Sequence, residues 1–168
     1  MNDWDGGNQQ EPFISAMAAW KKYVAAHNPP PYREDVVYYA FQFGNVGFFV
    51  LDTHQYRSPR TEPEANRTML GAQQLQDLKQ WLLDTNHMPF RFLVSPDPWS
   101  HNKPVFGMFK NPSLLTPDSW SGFPTEKTEL LTWIKKNNVH GTLFLSADRH
   151  WSGVWEIDTG FYEFGASP

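Results

Sequence analysis

The sequence predicts an α/β, more loosely α+β, layered domain in which helices pack on a sheet. Amphipathic helical stretches alternate with short apolar runs in the order helix, two strands, helix, strand, long loop, helix, strand, hairpin. A chain of 168 residues is long enough to bury one core. Its 40% hydrophobic and 16% aromatic content, with eight tryptophans and thirteen phenylalanines, implies that large rings build that core or line a site. No internal repeat or low-complexity segment divides the chain, so residues 1–168 read as a single domain.

The elements follow in order. Met1-Asn2-Asp3-Trp4-Asp5-Gly6-Gly7 is polar and glycine-bearing, as a loop is. From Pro12 onward Phe13, Met17, Trp20 and Val24 recur four, three and four residues apart, on one helix face. Pro29-Pro30-Pro31 ends that helix. Val37, Tyr39, Phe41 and Phe43 then alternate with Tyr38, Ala40 and Gln42, and Gly44-Asn45 offers a tight turn into the apolar run Val46–Leu51. This predicts a hairpin whose second strand lies deep in a sheet. Asp52–Asn66 is polar and proline-interrupted, hence a loop. Leu75, Leu78 and Leu82, with Trp81 beside them, mark a second helix, and Phe90–Ser95 is a short strand. Pro96–Pro124 is a long irregular stretch holding Trp99, His101 and Trp120, and loops of that length usually cover or build a site. Thr125 is the expected N-cap of a third helix defined by Leu130, Trp133 and Ile134. Gly141–Ser146 is an apolar strand that runs into Asp148-Arg149-His150-Trp151, and a final hairpin turns at Asp158-Thr159-Gly160.

Several classes are excluded. The chain has no cysteine, so disulfides and thiolate zinc sites cannot form, and any metal must use nitrogen and oxygen donors. A net charge of −4 carries no nucleic-acid-binding signature. No apolar run is long enough for a membrane-spanning segment, and the first residues have neither the basic region nor the apolar stretch of a signal peptide. No Walker loop, Gly-x-Gly-x-x-Gly or ordered Ser-His-Asp set is found.

Asp148-Arg149-His150 carries the most chemistry. A strand projects residues i and i+2 to one side, so Asp148 and His150 converge if the extended conformation persists beyond Ser146. A carboxylate and an imidazole suit Fe, Mn and Zn, and the carboxylate suits Ca. The bland alternative is that Asp148 pairs with Arg149 or caps a turn and His150 is an ordinary surface histidine. His27, His87 and His140 fall at helix ends or turns; His54 follows a buried strand, and His101 lies in the long loop.

A set of ordered motifs adds to this. Phe41-Gln42-Phe43-Gly44-Asn45-Val46, running on to Phe49-Val50-Leu51-Asp52-Thr53 and Tyr56-Arg57, resembles the PhoD-like phosphatase stretch "SFRFGNVEFFVLDTRSYR". Thr68-Met69-Leu70-Gly71-Ala72-Gln73-Gln74 resembles "TMLGAEQ", and Val94-Ser95-Pro96-Asp97-Pro98-Trp99 is similar to "VSSVPW". Asp118–Glu126 resembles "DSWGGFPTER", Leu145–Trp151 resembles "LSGDRHW", and Tyr162-Glu163-Phe164 with Ser167-Pro168 is similar to "YEFTSSP". Asn2-Asp3 resembles the end of "DDHD…ND", without the "DDHD".

The resemblance to the PhoD-like family, within the calcineurin-like metallophosphatases, implies part of a β-sandwich flanked by helices whose N-terminal half is missing. It implies metal-dependent hydrolysis of phosphate mono- or diesters, with a metal-lowered water pKa and charge stabilisation on the phosphoryl oxygens. By resemblance Asp148 and His150 are metal ligands and Asn2 lies in or beside the site. Arg57 is a candidate to hold a phosphoryl oxygen, against an ion pair as the alternative. Trp99, Trp120 and Trp151 are candidates to wall the site, against plain core packing. The metal is Fe, Ca, Mn or Zn, the substrate a phosphate ester, and an upstream half or partner chain is the expected complement. The family is often exported. Departures matter: Ala147 replaces a glycine, which predicts strain at that position, His54 replaces the common arginine after "LDT", and Asp97 intrudes in the "SSVPW" loop, which predicts different substrate contacts. Two other readings stay open, an inactive truncated fragment and an aromatic-lined binding module. Missing strands predict an exposed apolar sheet edge.

Overall fold

The computed structural model describes residues 11–59, 61–100, 119–148 and 150–166. Among these, β1 (Tyr39–Phe43), β2 (Val46–Val50), β3 (Phe90–Ser95), β4 (Thr142–Ser146), β5 (Gly153–Asp158) and β6 (Phe161–Gly165) form one sheet in the order β1-β2-β3-β4-β6-β5. The two edges are antiparallel hairpins, β1 with β2 and β5 with β6, while β2, β3, β4 and β6 run parallel. Helices α1 (Glu11–Tyr23), α2 (Gly71–Asp84) and α3 (Pro124–Lys136) complete the α/β layers that the sequence predicts. α2 joins β2 to β3 and α3 joins β3 to β4, the crossover that parallel neighbours require.

Strand alternation sorts the sheet into two faces. One buries Phe49, Leu93, Phe144 and Phe161 against Leu78, Trp81 and Leu82 of α2 and Leu130, Leu131 and Ile134 of α3. Trp81 meets Phe49 edge-on at 5.4 Å, and it sits so close over Gly47 that a Cβ there would lie 3.0 Å from its ring. At the start of β4, Gly141 has φ +63 and its missing Cβ would fall 2.1 Å from the Pro89 carbonyl, so only glycine admits this entry.

Polar side chains on the buried stripe of α2 fix it in register. Gln74 donates from Nε2 to the Asp52 carbonyl at 2.7 Å and accepts the Asp52 N–H at 2.8 Å, clipping the end of β2 to the helix. Asp77 accepts two bonds from Arg33 at 2.5 Å and one from the Tyr38 hydroxyl at 2.7 Å. The Arg33 bonds hold the Asp77 carboxyl below the usual range, while burial and then Asp77 push the Tyr38 hydroxyl up. α3 begins two residues earlier than its sequence suggests. Pro124 takes its first position because a preset φ and a missing N–H suit that place, so Phe123 and not Thr125 is the N-cap. Glu126, buried in the first turn, accepts the Met69 N–H and the Thr68 hydroxyl and ties α3 to the lead-in of α2.

The opposite face is less covered by the described residues. Phe41 stacks on Phe48 at 4.7 Å and 4°, and Phe48 on Phe92 at 5.2 Å and 16°, in a row across three strands. Phe43, Phe90, Val154, Tyr162 and Phe164 are exposed, Phe43 at 80%. Among the described residues, apolar side chains are thus exposed at several places across this face as well as at the sheet edges.

Candidate functional site

Because β2, β3 and β4 are parallel, their carboxyl ends share one edge of the sheet, where ligands of open α/β sheets sit. Each of these strands is followed two residues later by an aspartate: Asp52, Asp97 and Asp148. Their fates differ. Asp52 Oδ1 accepts the N–H groups of His54 and Gln55, an Asx-type turn, while its buried Oδ2 has no hydrogen-bond partner among the described residues. Burial pushes this carboxyl up despite the two bonds. Asp97 is buried too, and accepts from Arg57 Nη2 at 2.8 Å and from the Thr53 hydroxyl. Burial outweighs the guanidinium, so the Asp97 carboxyl also lies above its ordinary value.

Asp148 is exposed, and so is His150. β4 ends at Ser146, two residues short of the aspartate, and Asp148 and His150 have φ of 63° and 56°. The extended path expected through the triplet is thus broken by two left-handed residues, and strand alternation does not bring the two side chains together. Each left-handed residue costs about 1–2 kcal/mol, less for an aspartate whose side chain bonds locally. Ala147, where strain was expected, has no positive φ; the strain falls on its two neighbours instead. A carboxylate and an imidazole are fitting donors for the metals considered. Among the described residues, however, no three His, Cys, Asp or Glu side chains converge. The pair supplies two donors, fewer than the three or four that usually hold such an ion.

The other candidates are placed as follows. Arg57 is not a surface cation: it is buried, its Nε donating to the Thr53 carbonyl at 2.8 Å and its Nη2 to Asp97. Trp99 and Trp120 are fully buried and stacked on each other at 3.9 Å and 11°, with Phe144 edge-on to Trp99 at 4.8 Å. They pack the core beneath the sheet end. Trp151 is 45% exposed and lies edge-on to Trp155 at 5.0 Å. His54 is half-buried, its Nδ1 3.3 Å from the Thr53 hydroxyl. Asn2, Arg149 and His101 lie outside the described residues, as does most of the long loop.

Sequence reasoning missed Glu163 as a structural participant. This fully buried carboxylate on β6 accepts the N–H of Trp99 at 2.8 Å, the N–H of Ser100 at 2.9 Å, the Ser100 hydroxyl, and the Ser146 hydroxyl at 2.5 Å. The signal was available: Phe161, Glu163 and Gly165 share the inward phase of β6, and a carboxylate on that phase needs donors. A cleft of about 460 Å³ opens at the same sheet edge, between α1 and the ends of β2 and β3. Phe13, Met17, Trp20, Tyr39, Val50, Asp52 and His54 line it, so the apolar face of α1 read from the sequence faces this space.

The comparisons agree with this architecture. The pattern of the PhoD-like phosphatase family matches residues 2–168. Alkaline phosphatase D of Bacillus subtilis (strain 168) is 27% identical over 173 residues, covering 90% of this chain but 29% of that protein. A solved structure titled "Structure of PhoD" superposes with a TM-score of 0.69 at 23% identity, covering 99% of this chain and 37% of that one, which is a likeness of fold. The chain thus spans about a third of the length of the relatives that it matches. With residues 2–168 matched by the pattern of that family, the chain belongs to the PhoD-like phosphatase family.

Proposed function

We propose that the chain contributes to a metal-dependent phosphate ester hydrolase in which Asp148 and His150 are two of the metal donors. The observation that carries this reading is the exposure of both side chains at the carboxyl edge of the parallel strands, in the segment resembling "LSGDRHW". The metal, when bound, supplies positive charge to the phosphoryl oxygens and acidifies a water. The chain's own part is to hold that pair on a turn anchored to β4, and to offer the adjoining cleft to the organic group of the ester. Arg57 acts from below by neutralising Asp97 and bonding the Thr53 carbonyl, which keeps the loop after β2 in place.

The donor count favours a second statement: this chain by itself does not hydrolyse phosphate esters. Two donors from Asp148 and His150, with Asn2 as a third, do not hold two ions in the close pair that metallophosphatase chemistry uses. The test is a chimaera in which this chain replaces the matched segment of Bacillus subtilis alkaline phosphatase D, assayed with Fe, Mn, Ca and Zn beside the chain alone. The reading expects metal-dependent turnover by the chimaera, lost in its Asp148→Ala variant, and none by the chain alone. Equal turnover by both proteins, or turnover indifferent to Asp148→Ala, contradicts it.

A further inference from the structure

We propose that Glu163 is a positioning residue for the Asp148–His150 turn, acting through Ser146 and through the Trp99–Ser100 backbone. The inference rests on the metal-site reading above only for its purpose, not for its geometry. Glu163 stands on β6, next to β4 in the sheet, and its Oε1 accepts both the Ser146 hydroxyl at 2.5 Å and the Trp99 N–H at 2.8 Å. Its Oε2 accepts the Ser100 N–H at 2.9 Å and the Ser100 hydroxyl. Among the described residues four donors meet these two oxygens, and a carboxylate accepts at both where a glutamine accepts at one.

Ser146 is the last residue of β4, two before Asp148, and it is held twice by the same strand region: its hydroxyl by Glu163, its carbonyl by the Ala166 N–H at 3.0 Å. The left-handed residues at 148 and 150 begin immediately beyond that anchor. Strained backbone of this kind persists only where its surroundings fix it, and Ser146 anchors the chain as it enters the turn. The same carboxylate fixes Ser100, five residues beyond the end of β3. One buried side chain on β6 therefore holds both the end of β4 and the Trp99–Ser100 backbone beyond β3. Supports of this sort behind metal ligands commonly change metal affinity by 10–100-fold when removed.

The experiment uses the chain in its metal-free and Mn-loaded forms. Ser146→Ala removes the link to the turn and leaves Glu163 bonded to Trp99 and Ser100; Ser146→Thr keeps a hydroxyl; Glu163→Gln weakens the whole junction. Amide relaxation by NMR reports the order of residues 147–152 without metal, and calorimetry reports Mn affinity. The expected result is loss of order in the turn and roughly tenfold weaker Mn binding in Ser146→Ala, with the rest of the sheet unchanged and both properties restored in Ser146→Thr. Should Glu163→Gln fail to fold, Ser146→Ala still decides. An ordered turn with unchanged Mn affinity in Ser146→Ala overturns the proposal. If Mn does not bind the unaltered chain at all, the metal-site reading is what fails, and the order of the metal-free turn alone decides the role of Glu163.

Discussion

Arg57 and Asp97 illustrate how a charged residue at a sheet end can be structural. Both side chains are almost wholly buried, 1% and 4% exposed, so neither charge is solvated and each depends on the other. Asp97→Ala removes the carboxylate that receives Arg57 Nη2 in the buried pair, and should destabilise the chain by about 3–5 kcal/mol in urea unfolding. Replacing the pair together, Arg57→Met with Asp97→Leu, should cost much less, and equal losses would show that the pairing is not what matters. Asp77 gives a prediction in pH. Its carboxyl is held low by Arg33, then by Tyr38 and Gln73, so its contribution is present above the ordinary carboxylate value of about 4 and is lost as pH falls through the lowered one. The stability difference between the unaltered chain and Asp77→Asn should therefore shrink below pH ~4. A difference constant down to acid unfolding would mean that the Arg33–Asp77 pair is not formed in solution.

At the scale of elements, helix starts and strand ends are tied by single side chains. Glu126 in the first turn of α3 receives the buried Met69 N–H and the half-buried Thr68 hydroxyl. Glu126→Ala should cost about 2–3 kcal/mol, the penalty of leaving such buried donors unsatisfied, and should raise hydrogen exchange at Met69 before it does so in β3. Uniform exchange across both would place the loss in global stability alone. The elements themselves were legible because periodicity is a local property: Leu75, Leu78 and Leu82 announce α2, and Val46–Leu51 announces a central strand. What was not legible is long-range or depends on backbone angles. The D-x-H spacing promised convergence only for an extended chain, and the left-handed residues at 148 and 150 carry no mark in composition. Glu126, Gln74 and Asp77 looked like ordinary polar residues of helices, and their partners lie 22 to 58 residues away. Asp97 read as an intrusion in a loop and proves to be the counterion of Arg57, 40 residues distant.

At the scale of the whole molecule, one sheet face is covered by α2 and α3 while the other presents a row of stacked phenylalanines. A contiguous apolar face of this kind favours association. Sedimentation velocity should show concentration-dependent association of the chain, reduced by Phe43→Lys, Phe90→Lys and Phe164→Lys together with little change in circular dichroism. Association unaffected by these three charges would place the contact elsewhere. The central claim is that the carboxyl edge of the parallel strands presents Asp148 and His150 to a metal ion, and it is tested most directly by titrating the chain with Mn(II) while following its histidine ring signals by NMR. The account predicts that, of the six histidines, His150 broadens first, and that Asp148→Asn shifts this broadening to higher Mn concentration. Broadening led by another histidine, or the same titration in Asp148→Asn, would contradict it.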